Sequence, residues 1–322
     1  MPRSDLLERA LSLPGMDRVG GRPGLHLVGG AVRDLLLGAT PVDLDFVVEG
    51  GNPAEVLAPL GVPVTVHERF GTASARLGDH AYDAARARAE TYARPGALPD
   101  PRPASLEEDL LRRDFTVNTF ALSLGPPTPG ELRAGPGAGD DLAARRLRVL
   151  HPGSFADDPT RLLRLARYRG RLGFAVEEET ARMAHAAVAG HALDTVSGPR
   201  IGAELELALA DPAALDAFAA LAELGVDAAI EPGFGLRDDV AERALALLPA
   251  DGRRDLLLLA AASTGVADPA ALLDRLGFRA DERRVVVGAA AAAAVAARAR
   301  AARRPSELAA VFASPEQAAL AG

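Results

Sequence analysis

The stretch LHLVGGAVRDLLLGATPVDLDFVVEG, residues 25–50, constrains this chain more than any other. LHLVGG reads as an apolar strand ending in a turn. AVRDLLLG reads as one or two helical turns stopped by Gly38, and VDLDFVVE (42–49) as an alternating strand. A strand projects residues i and i+2 to one face, so Asp43 and Asp45 point together while Leu44 and Phe46 face a core. Two parallel carboxylates repel each other, and a divalent cation between them removes that cost. Oxygen donors without His or Cys suit Mg²⁺, which completes its shell with water and substrate phosphates. Gly29 and Gly30 stand at a helix start, where backbone N–H groups approach an anion closely, and Arg33 is placed to reach the same anion. The assembly reads as a triphosphate held by a turn, with metals on an Asp-x-Asp strand. Its chemistry is a two-metal, in-line attack of a hydroxyl on the α-phosphorus, with pyrophosphate leaving. A lone Asp-x-Asp is common in strands, and it is the preceding Gly-Gly and Arg-Asp that separate this one from the background. Asp83, in HAYDAARARAETY, reads either as a third carboxylate from a neighbouring strand or as an ordinary strand-end aspartate.

The rest of the first third mixes strands and helices, as an α/β sheet domain does. Residues 1–20 read as a short helix, PAEVLAPLG as another, VPVTVHERFGTASARL as a strand pair and HAYDAARAR as a further strand. The proline-rich run 93–110 reads as a loop feeding a helix. After about residue 140 the sequence is rich in Ala, Leu and Arg and helical almost to its end, with breaks at 197–199, 232–235, 250–252 and 265–269. No repeat of fixed period is visible.

Composition excludes several classes. There is no cysteine, hence no disulfide, Cys-ligated zinc or Cys nucleophile. The N-terminus does not read as a signal peptide, and the longest uncharged apolar run, 285–297, is mostly Ala and too short to span a bilayer. A cytoplasmic location without membrane attachment is expected. The net charge of −8 argues mildly against nucleic acid, but every one of the 36 basic residues is Arg, the side chain suited to forked contacts with phosphates and base edges. Between Asp141 and Arg171 eight arginines face three aspartates. That run reads as a local anion track or as a solvated helix face.

Five segments, in order, carry a resemblance: LVGGAVRDLLLG…VDLDFVV, YDAARARAETYARPGALP, EEDLLRRDFTVNTFAL, DDPTRLLRLARYRGRLGF and SGPRIGAELELAL. Together, over roughly residues 20–215, the chain resembles the class II tRNA nucleotidyltransferases. These comprise the CCA-adding, CC-adding and A-adding enzymes and the bacterial poly(A) polymerases of the DNA polymerase β-like superfamily. The resemblance implies an α+β fold, a mixed-sheet catalytic head (1–140) followed by an all-α neck that reads the nucleobase (141–215) and an all-α body and tail that hold tRNA (216–322). It implies that Gly29, Gly30 and Arg33 hold the triphosphate, that Asp43 and Asp45 hold Mg²⁺, and that Arg112, Arg113 and Asp114 contact ribose and phosphate. Without it, EDLLRRD reads as an exposed helix end.

The resemblance also makes Asp158 and Arg161, in DDPTRLLRLAR, a protein template for the incoming base. Cytosine and adenine each present an exocyclic amine beside a ring-nitrogen acceptor, whereas uracil and guanine present a carbonyl beside a ring N–H. A carboxylate accepting from the amine and a guanidinium donating to the ring nitrogen therefore admit CTP and ATP and oppose the others. Arg164 and Arg167, three and six residues on, either hold the triphosphate or support Arg161. The competing reading is a basic amphipathic helix packed through Leu162, Leu163 and Leu165. The primer would be a tRNA acceptor end, held largely by shape and phosphates, with Arg298, Arg300, Arg303 and Arg304 as tail contacts or a solvated helix end.

Some positions depart from the family pattern. Thr119 stands where a smaller residue follows Asn118. RAGPGAGDDL (133–142) lacks the leading Asp of the segment after the head, which places the hinge in question. Asp157–Asp158 replaces Glu-Asp. The chain is short for the family, and its six His show no metal-ligand spacing. CCA addition and single-step CC or A addition remain close rivals, with poly(A) addition behind. From other classes, a non-catalytic RNA-binding protein would have lost a carboxylate, and a small-molecule nucleotidyltransferase would not need the Asp158–Arg161 reader. Oligomeric state is not legible.

Overall fold

The computed structural model describes residues 3–68, 71–291, 304, 311–312 and 314–321, and the chain divides into two compact units. Arg298, Arg300 and Arg303 lie outside the described residues, and Arg304 is exposed.

The first unit, residues 1–93 and 98–152, holds the sheet. Its elements in order are α1 (Arg3–Leu11), α2 (Met16–Val19), β1 (Leu25–Val28), α3 (Gly30–Leu36), β2 (Asp43–Val48), α4 (Pro53–Leu57), β3 (Val64–His67), β4 (Thr72–Leu77), β5 (His80–Arg86), β6 (Arg88–Thr91), β7 (Asp100–Pro103), α5 (Leu106–Leu111), β8 (Phe120–Ser123), β9 (Leu132–Ala134) and α6 (Ala138–Ala143). The main sheet runs β3-β4-β5-β2-β1-β8-β9. Only β2 and β5 pair in parallel, so the sheet is mixed. One face is the main core. Leu44, Phe46, Tyr82 and Ala84 point into it with Leu25, Leu27, Leu35 and Leu57, all nearly water-free. On the other face Val28, Val47 and Ala121 are covered by Leu106 and Leu110 of α5, which leaves the far end of β2 open.

Two expectations change. The helix over residues 1–20 breaks at Pro14–Gly15, where Gly15 has a positive φ of 70°. The proline-rich run is not all loop: β7 pairs with β6 as a two-stranded ribbon. Pro101 and Pro103 lack the N–H that an inner strand needs, and a two-stranded ribbon tolerates this because each strand has an unpaired edge.

The second unit, residues 94–97 and 153–322, is helical. It contains α7 (Ser154–Asp157), α8 (Arg161–Leu172), α9 (Glu178–Ala189), α10 (Gly198–Ala210), α11 (Ala214–Leu224), α12 (Val226–Ile230), α13 (Asp238–Leu247), α14 (Arg254–Ala262), α15 (Pro269–Leu276), α16 (Ala280–Ala290) and a last described helix, Pro315–Ala321. Alpha-helix α8 packs against α11 at Gly170, where a Cβ would stand 2.6 Å from the backbone N of Ala217. No described helix is long and apolar enough to cross a membrane.

Candidate active site

The alternation of β2 does what its sequence requires: Asp43 and Asp45 are exposed while Leu44 and Phe46 between and after them are buried. Because β5 runs parallel to β2 in register, Asp45 lies directly beside Asp83 on the same face. Ser74 of β4, the next partner in that row, donates its hydroxyl to Asp83. Asp43, Asp45 and Asp83 therefore share one open stretch of sheet. Among the described residues no three His, Cys, Asp or Glu side chains form a ready-made metal cage. An oxygen-only pair on an exposed strand nevertheless fits Mg²⁺, whose remaining ligands are normally water and phosphate.

The Gly29–Gly30 turn next to β2 is built differently from the sequence expectation. Gly29 has φ 70° and ψ −133°, and its N–H is used by the carbonyl of Phe120. A Cβ there would meet Nη1 of Arg113 at 2.7 Å, so the glycine leaves room for that guanidinium. Arg33, which the sequence places toward the anion, turns inward instead. It is 2% exposed, donates through Nε and Nη2 to Asp34 and through Nη1 to Asn118. Asn118 in turn donates to Asp114, whose Oδ1 also accepts from the backbone N of Phe115. Arg33, Asn118 and Asp114 form an internal network behind the turn, and Asp114 is itself buried.

Arg112 and Arg113 both pivot on Asp109, a fully buried carboxylate that sequence reasoning did not single out. Its Oδ1 accepts from Nε and Nη2 of Arg112 and its Oδ2 from Nη2 of Arg113. Burial alone would raise the Asp109 carboxyl. The adjacent Arg112 and Arg113 outweigh that and hold its pKa below the ordinary 3.8. Arg112 is further engaged by Glu90 and the carbonyl of Arg88, so its donors are used within the protein. Arg113 makes fewer such bonds. Its buried Nε has no hydrogen-bond partner among the described residues, and its Nη1 lies over Gly29 at 3.5 Å from the Asn118 carbonyl. Arg113 thus lies against the turn, while Arg33, Arg112 and Asp114 are engaged within the protein. The signal for Asp109 was its i, i+3 and i, i+4 spacing to the two arginines.

Thr119 and the glycine-rich segment after β9 compensate for each other. The Thr119 hydroxyl donates to the Thr116 carbonyl and accepts from the N–H of Gly135, and a Cβ at Gly135 would meet it at 2.6 Å. Further along the same segment, buried Asp141 accepts from the hydroxyl of Thr116 and from the guanidinium of Arg148.

In the helical unit, Asp158 precedes α8 and Arg161 is its first residue. Asp158 Oδ1 accepts from the N–H and hydroxyl of Thr160 and from Nη2 of Arg200 at 2.8 Å. Arg161 is 5% exposed and donates to Oγ of Ser154 at 2.6 Å. Arg164 and Arg167 converge on one carboxylate, Glu204 of α10, at 3.1 and 3.4 Å. The arginine ridge is therefore tied to a neighbouring helix through Glu204 of the SGPRIGAELELAL segment.

Residues 25–148 match the poly(A) polymerase head domain. Over 226 residues, 69% of this chain, the sequence is 41% identical to the A-adding tRNA nucleotidyltransferase of Aquifex aeolicus, spanning 27% of that protein. Over 199 residues, 61% of this chain, it is 45% identical to the CC-adding tRNA nucleotidyltransferase of Deinococcus radiodurans, spanning 52% of it. The chain thus spans about a quarter to about a half of the length of these curated relatives. A tRNA nucleotidyltransferase solved with a primer tRNA and an incoming ATP analogue is 32% identical, with a TM-score of 0.67 over 82% of this chain and 79% of that one.

Proposed function

The chain belongs to the tRNA nucleotidyltransferase family, and from that premise we propose that it adds C, A or both to the 3′ end of tRNA in the cytoplasm. It takes CTP, ATP or both and releases pyrophosphate. The observation that carries this reading is the open row of Asp43, Asp45 and Asp83 on one face of the sheet.

Asp43 and Asp45 would hold Mg²⁺. The bound metal supplies charge neutralisation at the phosphoryl oxygens and a lowered pKa for the attacking hydroxyl. Asp83 sits beside Asp45 as a third carboxylate, oriented by Ser74. Arg113 offers donors to the triphosphate next to the Gly29–Gly30 turn, and Asp109 fixes its rotamer. Asp158 accepts from the exocyclic amine of the base, and Arg161 donates to the ring nitrogen once its bond to Ser154 is exchanged. A base of reversed polarity leaves these groups unpaired, at roughly 1–3 kcal/mol each. The tRNA is held by the remaining helices through its phosphates.

The names of the Aquifex and Deinococcus relatives favour a second, narrower reading, in which this chain adds only A or only CC. One experiment separates the two. Three forms of one tRNA transcript, ending at the discriminator base, in C and in CC, are each incubated with Mg²⁺ and both CTP and ATP, one of the two labelled, and resolved on a sequencing gel. Extension of all three to CCA means complete addition. ATP entering only the CC-ended form means an A-adding chain, and extension stopping at CC means a CC-adding one. No incorporation on any of them rejects the proposal.

A further inference from the structure

Arg200 lies in the first turn of α10, after Ser197 at the N-cap and Pro199 at the second helical position. A cation is disfavoured there by the helix dipole, so its placement needs a reason. Its guanidinium forks: Nη2 donates to Oδ1 of Asp158 at 2.8 Å, and Nη1 donates to the carbonyl of Gly96 at 2.8 Å. Gly96 is itself seated, its N–H on the Ala156 carbonyl, and a Cβ there would overlap the Thr195 side chain at 2.2 Å. The other end of the fork is equally fixed. A Cβ at Gly198 would come within 1.9 Å of the Arg275 carbonyl, and one at Gly202 within 2.1 Å of the Leu276 carbonyl. The SGPRIG sequence therefore lays α10 directly on the end of α15 and leaves Arg200 little freedom.

Three donors thus converge on a single oxygen of Asp158: the N–H and hydroxyl of Thr160 and Nη2 of Arg200. Among the described residues no donor reaches Oδ2. A carboxylate clamped by one oxygen presents the other in a fixed direction, and a fixed acceptor discriminates between an amine and a carbonyl better than a rotating one.

We infer that Arg200 is a positioning residue for base selection, holding Asp158 so that Oδ2 alone faces the incoming base. This rests on the base-reading role proposed for Asp158. Arg200 touches the carboxylate, and the carboxylate meets the nucleotide.

The test measures incorporation of each of the four NTPs into a tRNA ending in CC, and a second ending at the discriminator base, by wild type, Arg200→Ala, Asp158→Ala and the double variant. Arg200→Ala should lower discrimination of C and A against U and G by about tenfold, the scale of one well-placed hydrogen bond to a charged group. Affinity for the tRNA should stay within about twofold, as expected for a group that does not contact it. In the Asp158→Ala background the same change should add no further loss of discrimination, because the two residues act as one unit. Arg200→Lys keeps the charge beside Asp158 without the fork, so it should restore discrimination in part, and it replaces the Ala variant should that one fail to fold. Equal losses on all four nucleotides, or additive effects in the double variant, would overturn the inference. If Asp158→Ala relaxes discrimination and Arg200→Ala does not, only the positioning role falls. If Asp158→Ala itself leaves discrimination unchanged, the base-reading role falls and takes this inference with it.

Discussion

The open end of β2 and the first turns of α8 treat charge in opposite ways. On the strand, Asp43 and Asp45 stand exposed on the sheet with Asp83 beside them. On the helix, Asp158 is clamped by Thr160 and Arg200, Arg161 is buried on Ser154, and Arg164 and Arg167 share Glu204. Exposure leaves the carboxylates of β2 within reach of a cation from solvent, as the proposed metal role requires. Groups that must tell one base edge from another gain from being held, because selectivity depends on direction. Under the proposed function, the difference teaches that exposure goes with the metal-binding carboxylates and restraint with the base-reading groups.

The sharpest way to break that comparison is at the strand. Asp45→Ala should remove several kcal/mol of charge stabilisation and slow turnover by roughly a thousandfold or more, while thermal stability changes little because the residue is exposed. Turnover near wild type would reject the metal assignment. The next largest effect is expected inside the head, at Asp109. Asp109→Ala leaves Arg112 and Arg113 without their shared counter-charge and should cost about 3 kcal/mol in denaturant unfolding, the low end for a broken buried pair since both guanidiniums keep some contact with water. The Asp109 carboxyl titrates below 3.8 in the fold, so its contribution is complete above that range and disappears as pH falls through the folded value. The stability gap between wild type and variant should stay constant from neutral pH to about 4 and close below it.

A smaller effect belongs to the reader. Asp158→Ala should lower discrimination of C and A against U and G by about tenfold, one unmatched polar group, with a lesser effect on triphosphate binding. Smallest is a stability effect at His26 in β1. Burial lowers its pKa from 6.5 despite the Glu49 carboxylate at 3.2 Å, with Arg133 also lowering it and Glu107 opposing. A histidine held neutral in the fold is protonated first in the unfolded chain, so stability should fall as pH drops below 6.5. His26→Gln should flatten that limb by about 1 kcal/mol or less in thermal melts between pH 7 and 5.

What could be read from the sequence was whatever is local and periodic. The two-residue period of VDLDFVV sets the face of Asp43 and Asp45 without any distant contact, and the Ala- and Leu-rich remainder carries its helical pattern in itself. The β6–β7 ribbon was hidden because Pro101 and Pro103 argue against a strand unless it has a free edge. The destinations of the arginines were hidden for another reason. Arg33 meets Asn118, Arg164 meets Glu204 and Arg200 meets Asp158 across long stretches of chain, and nothing in a motif says whether a guanidinium faces a ligand or an internal acid. Gly29 shows the same limit. It reads as a phosphate-approach glycine, yet the group its missing Cβ accommodates is Arg113.

The most direct test of the division between chemistry and reading is the rate of single-nucleotide incorporation into a CC-ended and a discriminator-ended tRNA, measured for all four NTPs with Asp45→Ala and Asp158→Ala side by side. Asp45→Ala should depress every rate by the same large factor and leave the ratios among nucleotides intact, while Asp158→Ala should change the ratios by far more than it changes the rate with the preferred nucleotide. Ratios shifted by Asp45→Ala, or a uniform loss with Asp158→Ala, would contradict the account.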